Sequence, residues 1–204
     1  GNELYKGFNL VTGIVPSSAI KHILQGIRFE VRDKKVELTA TDLEVLVKYT
    51  LLAKESVGDG SIVLPAVRVN NIFREWAGNE EVLVSFDGSS CVLKSGKGYF
   101  KIAGEDSSQF PMITITDVNS FVTVDGGIIG DMIGKVIHAA STMRARSTLC
   151  GVFVKIDKEE IVMAAADGNR LSMVKRKVEN PDGVSMSGIA TVKCLTFLQR
   201  FSSE

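Results

Sequence analysis

The sequence predicts an α+β fold in which a β-sheet backed by two helices occurs twice in tandem. Three observations predict it. Apolar residues make up 45% of the 204 residues, which is enough for a core. The chain is similar to itself at a constant spacing, which indicates an internal repeat. Each copy also shows helical spacing of apolar residues, followed by the alternation that is typical of strands.

The repeat has a spacing of 125 positions, at which residues 3–79 are matched by residues 128–204. At this spacing we expect no gap as far as Arg68, which matches Lys193. These two residues are then the one basic position that both second helices share.

Each copy begins with an apolar helical stripe, formed in the first copy by Leu4, Phe8, Val11 and Val15. Three strands with alternating apolar residues follow, and charged or polar residues stand at the turns between them. A further short strand leads into a second helix, expected at residues 66–77 and at residues 191–201.

The two copies differ at their ends. Only the first continues into three strands of a meander, at residues 81–104, whereas only the second opens with a strand, Phe121–Val124. We therefore expect a first repeat at residues 1–115 that lacks its first strand, and a second at residues 116–204 that lacks its closing strands. We also expect the native gene to encode residues on both sides of this chain.

Composition excludes several classes of protein. Lys and Arg number 24 and Asp and Glu number 24, so there is no strongly basic tail, although clustered cations can still bind nucleic acid. No apolar run approaches the ~18 residues of a membrane-spanning helix. The three cysteines are far apart and form no C-x-x-C pair, which favours free thiols in a reducing compartment over disulfides or zinc.

Asp42 and Asp167 are the candidate catalytic residues, because they occupy equivalent places after a strand. A pair of carboxylates could serve a small hydrolase, but a repeated Asp more often accepts backbone N–H groups in a turn. The two histidines, His22 and His138, complete no recognisable triad, and no nucleotide-binding or metal-binding motif occurs. We predict no cofactor and no metal.

Four segments resemble the bacterial DNA sliding clamp, the beta subunit of DNA polymerase III. They are LTATDLEV at 38–45, LPAVRVNNIFREW at 64–76, SSQFP at 107–111 and MAAADGNRLSMV at 163–174. The resemblance implies the DNA-clamp fold, with three repeats per subunit and two subunits joined head to tail in a ring. This chain resembles repeat one and most of repeat two.

The resemblance implies a processivity factor of the replicative polymerase, in the cytoplasm, which encircles duplex DNA and carries out no chemistry of its own. DNA polymerase and clamp-loader subunits are the implied partners, held through short linear motifs. Because ring closure in the family uses repeat three, we expect this chain alone to be monomeric and to hold DNA weakly. The alternatives are the small carboxylate-dependent hydrolase or a non-replicative clamp-like protein.

The resemblance also implies two sets of site residues, each weighed against an ordinary structural role. For the first set, the DNA-facing residues, the ordinary role is that of solvated surface charges. For the second set, the peptide-motif pocket, Gly168 has the ordinary role of the glycine in an Asp-Gly turn. The DNA-facing residues are Lys6, Lys21, Arg68, Arg74, Lys135, Arg144, Arg146, Lys193 and Arg200. The peptide-motif pocket consists of Leu149, Ala166, Gly168, Asn169, Arg170 and Leu171.

Overall fold

The chain divides into two compact units, Gly1–Thr114 (unit 1) and Ile115–Glu204 (unit 2). A computed structural model describes residues 1–78, 81–113, 122–143, 148–180 and 182–201. Helices and antiparallel sheets occur in both units, as the α+β prediction requires. Within the described ranges no helix is long and apolar enough to cross a membrane.

In its described residues, unit 1 contains two α-helices and two antiparallel sheets. The first sheet has the order β3-β2-β1-β4 and the second the order β5-β6-β7. The elements are α1 (Asn2–Thr12), β1 (Gly26–Arg32), β2 (Lys35–Thr41), β3 (Leu46–Leu52), β4 (Gly60–Pro65), α2 (Ala66–Glu75), β5 (Leu83–Phe86), β6 (Ser90–Ser95) and β7 (Gly98–Ala103).

The core of unit 1 lies between its helices and both sheets. The predicted stripe of α1 is buried at Leu4, Phe8 and Val11, whereas Val15 lies beyond the end of the helix at Thr12. The ring of Phe8 packs edge-on against Phe73 of α2, with centroids 4.8 Å apart. Because Phe8 is fully buried, its truncation to Ala is expected to cost about 3–5 kcal/mol.

Unit 2 repeats the helices and the first sheet of unit 1. Its sheet has the order β10-β9-β8-β11, which matches β3-β2-β1-β4. The elements are α3 (Gly126–Val136), β8 (Gly151–Asp157), β9 (Glu160–Ala166), β10 (Leu171–Lys177), β11 (Met186–Thr191) and α4 (Val192–Phe201). The predicted strand Phe121–Val124 is not observed: Val122 and Val124 lie outside any strand, and Phe121 lies outside the described residues.

One face of the unit 1 core is covered by the second sheet, whereas among the described residues of unit 2 no second sheet covers the matching face. In unit 1 the second sheet lies against β1, where the ring of Phe86 is 5.9 Å from that of Phe29. In unit 2 the matching face is an open apolar trough of ≈710 Å³, with Val154 at the position of Phe29. Leu198 of α4 lines this trough and is 45% exposed.

The spacing of 125 holds through β10 but is wrong beyond it. The connection between β10 and β11 is one residue longer than that between β3 and β4, so β4 begins at Gly60 and β11 at Met186, 126 positions later. Strand register confirms the shift, because Pro65 pairs with Gly26 whereas Thr191 pairs with Gly151.

Candidate functional site

The carboxylates of Asp42 and Asp167 both close tight turns between strands. Oδ1 of Asp42 accepts the N–H groups of Glu44 at 3.1 Å and Val45 at 2.8 Å. Oδ1 of Asp167 accepts those of Asn169 at 2.9 Å and Arg170 at 3.0 Å. The interpretation of both residues as turn carboxylates is therefore confirmed.

The residue after each aspartate has a positive φ. Gly168 has φ 97°, and the matching residue of unit 1 is Leu43 with φ 77°. Glycine adopts this region without steric cost, whereas leucine is strained there. The turn thus requires a residue with a left-handed backbone conformation in both units. This requirement accounts for a glycine at position 168 without a bound ligand.

Arg170 is the side chain that distinguishes the second turn. Its Nε lies 2.9 Å from Oδ2 of Asp167. The backbone N–H groups of Asn169 and Arg170, followed by the charge of Arg170, lower the pKa of Asp167 below its usual value. Asp167 is therefore ionised at neutral pH, and it holds a guanidinium that is 60% exposed.

The residues of the predicted peptide pocket lie at one end of the unit 2 sheet. Ala166 ends β9 and pairs with Leu171, the first residue of β10. Leu149 precedes β8 at the same end, and its carbonyl accepts the N–H of Ser141 at 2.8 Å. Leu171 is 70% exposed. The structure thus brings the turn, Ala166 and Leu171 together, and it places Leu149 nearby at the entry to β8.

An exposed apolar row, which was not predicted from the sequence, continues from these residues across the outer face of the sheet. Met173 pairs with Ala164, and Ala164 with Phe153. Phe153 also pairs with Ile189. The exposed fractions are 56% for Met173, 41% for Phe153 and 52% for Ile189. We call Leu171, Met173, Ala164, Phe153 and Ile189 the outer apolar row.

Unit 1 has polar residues where most of this row lies. At the spacing of 125, the matches of Met173, Ala164 and Phe153 are Lys48, Thr39 and Arg28. These three residues pair across the unit 1 sheet in the same way, Lys48 with Thr39 and Thr39 with Arg28. Phe153 stands between Val152 and Val154 in the sequence, so β8 is apolar on both faces. This continuous apolar run is the sequence signal that could have predicted the row, because a strand with one solvated face normally alternates apolar and polar residues.

The predicted DNA-facing cations of unit 1 are exposed. Lys6 lies on α1, Arg68 and Arg74 lie on α2, and Lys21 precedes β1. The two helices pack together, and Nδ2 of Asn70 approaches Oδ1 of Asn9 at 3.4 Å. The helix pair thus presents three of these four cations.

In unit 2, Lys135 of α3 and Lys193 and Arg200 of α4 are also exposed. Nζ of Lys135 lies 2.7 Å from Oδ2 of Asp131. The predicted equivalence of Arg68 and Lys193 is wrong: because of the one-residue shift, Lys193 is the second residue of α4 and matches Val67 of α2. Arg144 and Arg146 lie outside the described residues.

Among the described residues, no three His, Cys, Asp or Glu side chains are placed to hold a metal ion. His22 pairs with Glu105 through Nδ1 at 2.9 Å, and His138 lies in a short helical turn that follows α3.

The chain matches two family models in order. Residues 2–114 match the N-terminal domain of the DNA polymerase III beta subunit, and residues 123–204 match its central domain. These ranges follow the division into unit 1 and unit 2.

Individual relatives agree with the family models. The Beta sliding clamp of Chlamydia trachomatis is 26% identical over 203 residues, which are 100% of this chain and 49% of the relative. That of Bacillus subtilis is 26% identical and covers 100% of this chain and 56% of its own. A crystal structure of the beta subunit of DNA polymerase III from Thermotoga maritima has a TM-score of 0.84 and 30% identity, over 98% of this chain and 54% of that one.

This chain therefore spans about half the length of the relatives it matches. Two successive domain models cover nearly all of it, and the solved structure has the same fold. The chain belongs to the DNA polymerase III beta subunit family.

Proposed function

We propose that this chain is part of a sliding clamp that encircles duplex DNA and raises the processivity of the replicative DNA polymerase. The clamp is a homodimeric ring in the cytoplasm. Its mechanism is topological, because a closed ring cannot leave the duplex and keeps a tethered polymerase at a high effective concentration beside the primer end. The observation that carries the proposal is the ordered match to the N-terminal and central domains.

The exposed cations on the helix pairs support a surface that faces duplex DNA. Lys6, Arg68 and Arg74 are carried on packed helices, which position them better than loops would. Contacts of Lys and Arg with phosphates carry no sequence information and are exchangeable, as a sliding contact requires. Lys21 belongs to the unit 1 part of this proposal, and Lys135, Lys193, Arg200, Arg144 and Arg146 form its unit 2 part.

The outer apolar row and the neighbouring turn support a site for short linear motifs of polymerase and clamp-loader subunits. The site combines apolar anchors, Leu171 and Met173, with the partly exposed guanidinium of Arg170. Apolar contacts bordered by a few polar groups suit a peptide with hydrophobic side chains. Ala166, Gly168, Asn169 and Leu149 complete the site.

The chain contributes no catalytic group in this function. A carboxylate-dependent hydrolase is the alternative, and it lacks support, because Asp42 and Asp167 each accept two backbone N–H groups of their own turns. A carboxylate that is held in this way is a poor general base, since these bonds favour its ionised form.

Binding of a fluorescent duplex by this chain tests the DNA-facing surface. The triple variant Lys6→Ala, Arg68→Ala, Arg74→Ala removes three exposed cations of the helix pair. We expect weak binding by the unmodified chain, and a log–log salt dependence that is shallower by about 2–3 in the variant, at about 0.9 per lost phosphate contact. Anisotropy at several salt concentrations measures both.

The matched control is Lys35→Ala, Lys54→Ala, Lys97→Ala, which removes the same charge from exposed lysines of unit 1 outside the helices. Its salt dependence should stay close to that of the unmodified chain. An equal decrease of the salt dependence in the two triple variants would show that only net charge matters. The helix pair would then not be the DNA-facing surface.

A further inference from the structure

The first helices of the two units carry opposite charges at one equivalent exposed position. Phe8 and Val11 of α1 are fully buried, as are their matches Ile133 and Val136 of α3, so the two helices superpose at a spacing of 125. At that spacing Lys6 matches Asp131. The exposed cation of α1, Lys6, thus has an anionic counterpart on α3.

Asp131 binds two cations at once. Its Oδ2 lies 2.7 Å from Nζ of Lys135, one turn along α3, and 2.9 Å from Nη2 of Arg176 on β10. The side chains are 44% exposed for Asp131, 49% for Lys135 and 38% for Arg176. The hydrogen bond from Lys135 is the main interaction that lowers the pKa of Asp131, so this carboxylate is ionised at neutral pH.

The fold does not require these charges. In unit 1 the matches of Lys135 and Arg176 are Leu10 and Leu51, which pack against the apolar core. These positions are therefore apolar in unit 1, whereas in unit 2 they form ion pairs with Asp131. The two copies have diverged in the charge that they present beside their helices.

We propose that Asp131 is an affinity-determining residue that weakens the contact of unit 2 with duplex DNA. The proposal rests on the function proposed above. A phosphate that approaches Lys135 or Arg176 must compete with a carboxylate that already holds both cations, and it meets the repulsion of that carboxylate. The helix pair of unit 1, where Lys6 replaces Asp131, then makes the stronger contact. Weak binding by unit 2 keeps its phosphate contacts exchangeable while the clamp slides.

The variant Asp131→Asn tests this proposal in the same duplex assay. We expect the dissociation constant to fall about three- to tenfold at ~50 mM salt, and the log–log salt dependence to steepen by about one as a freed cation meets a phosphate. Asp131→Lys, which introduces the residue of unit 1, should have a larger effect. Circular dichroism and thermal unfolding check that both variants are folded.

The matched control is Asp157→Asn, which changes the net charge equally. Asp157 is also 44% exposed, and it pairs with Lys155 at 3.0 Å on β8, away from the helices. We expect it to change the dissociation constant less than twofold. Equal tightening by Asp131→Asn and Asp157→Asn, or no tightening by Asp131→Asn, would overturn the proposal.

The variant Lys6→Ala separates this proposal from the function on which it rests. If Lys6→Ala weakens binding while Asp131→Asn has no effect, Asp131 does not limit the affinity, and the DNA-facing surface stands. If neither the unmodified chain nor any variant binds the duplex at low salt, the proposed DNA-facing surface and the proposal on Asp131 are both wrong.

Discussion

Arg170 donates through Nε to Oδ2 of Asp167, while Oδ1 of the same carboxylate closes the turn that carries Arg170. One acidic side chain therefore fixes both the backbone and the guanidinium beside Leu171. Because Nε is occupied, a bound ligand can reach only the two Nη groups of Arg170. Asp42 closes the matching turn of unit 1, but Val45 stands where unit 2 has Arg170.

Peptide binding should depend on the outer apolar row. We expect a labelled peptide that carries a polymerase clamp-binding motif to bind with a dissociation constant of about 10 μM to 1 mM. Leu171→Ser and Met173→Ser should each weaken it about tenfold or more, because each removes an apolar contact worth about 1.5–3 kcal/mol when buried. Amide shifts in NMR titrations measure the affinity and the location.

The control for the peptide experiment is Leu52→Ser, which alters a leucine of β3 that is 74% exposed in unit 1. It should leave the affinity unchanged. Amide shifts that cluster outside Ala166–Met173, or an equal loss of peptide affinity in all three variants, would mean that the outer apolar row is not the peptide site.

Substitution of the residue with positive φ should change the stability of the two units in opposite directions. Gly168→Ala should destabilise unit 2 by about 1–2 kcal/mol, because a side chain is disfavoured at φ 97°. Leu43→Gly should stabilise unit 1 by about 0.5–1 kcal/mol, the relief of strain exceeding the entropic cost of glycine. Hydrogen exchange follows β9 and β10, and the fluorescence of Trp76, the single tryptophan, follows unit 1. Stabilisation by Gly168→Ala would contradict the turn assignment.

Asp87 should make unit 1 sensitive to acid. The N–H groups of Ser90 and then Ser89 lower the pKa of Asp87 to about 2. Since the folded pKa lies below the unfolded value of about 3.9, the carboxylate stabilises the fold above about pH 4 and loses that contribution as the pH falls through about 2. Urea unfolding followed by Trp76 should therefore be less pH-dependent in Asp87→Asn between pH 6 and pH 2. Parallel profiles for the two proteins would contradict this.

Thiol labelling should distinguish the cysteines. Burial raises the pKa of Cys91 to about 11 and also raises the pKa of Cys194. Cys91 is fully buried on β6, so at pH 8 it should react at least ~100-fold more slowly than in urea, where the thiolate is accessible. Mass spectrometry of alkylated peptides measures the rates. Labelling of Cys91 as fast as Cys150 under native conditions would show that the second sheet of unit 1 opens readily.

Local pattern in the sequence was sufficient to predict the repeated elements. The alternation of Ile27, Phe29 and Val31 predicts a strand with one buried face, and in β1 Ile27 and Phe29 are buried while Val31 is partly buried. The spacing of Leu4, Phe8 and Val11 predicts the buried stripe of α1. These predictions succeed because the periods of a helix and a strand are set by backbone geometry within a few residues.

Local pattern failed where the outcome depends on contacts between distant residues. One extra residue between β10 and β11 shifted Lys193 out of register with Arg68, and only the pairing of Thr191 with Gly151 reveals it. Val122 and Val124 have strand-like composition but lie in no strand. A strand needs a partner for its backbone groups, and the sequence does not specify which partner is available.

The sequence was sufficient to predict the repeat, the α+β class and the residue types of the candidate surfaces. The folded structure decided that Phe153 and Met173 meet in one exposed row and that Arg176 of β10 joins the ion pair of Asp131 and Lys135. The physical reason is that periodicity acts along the chain, whereas cross-strand register and ion pairing join residues that are far apart in it.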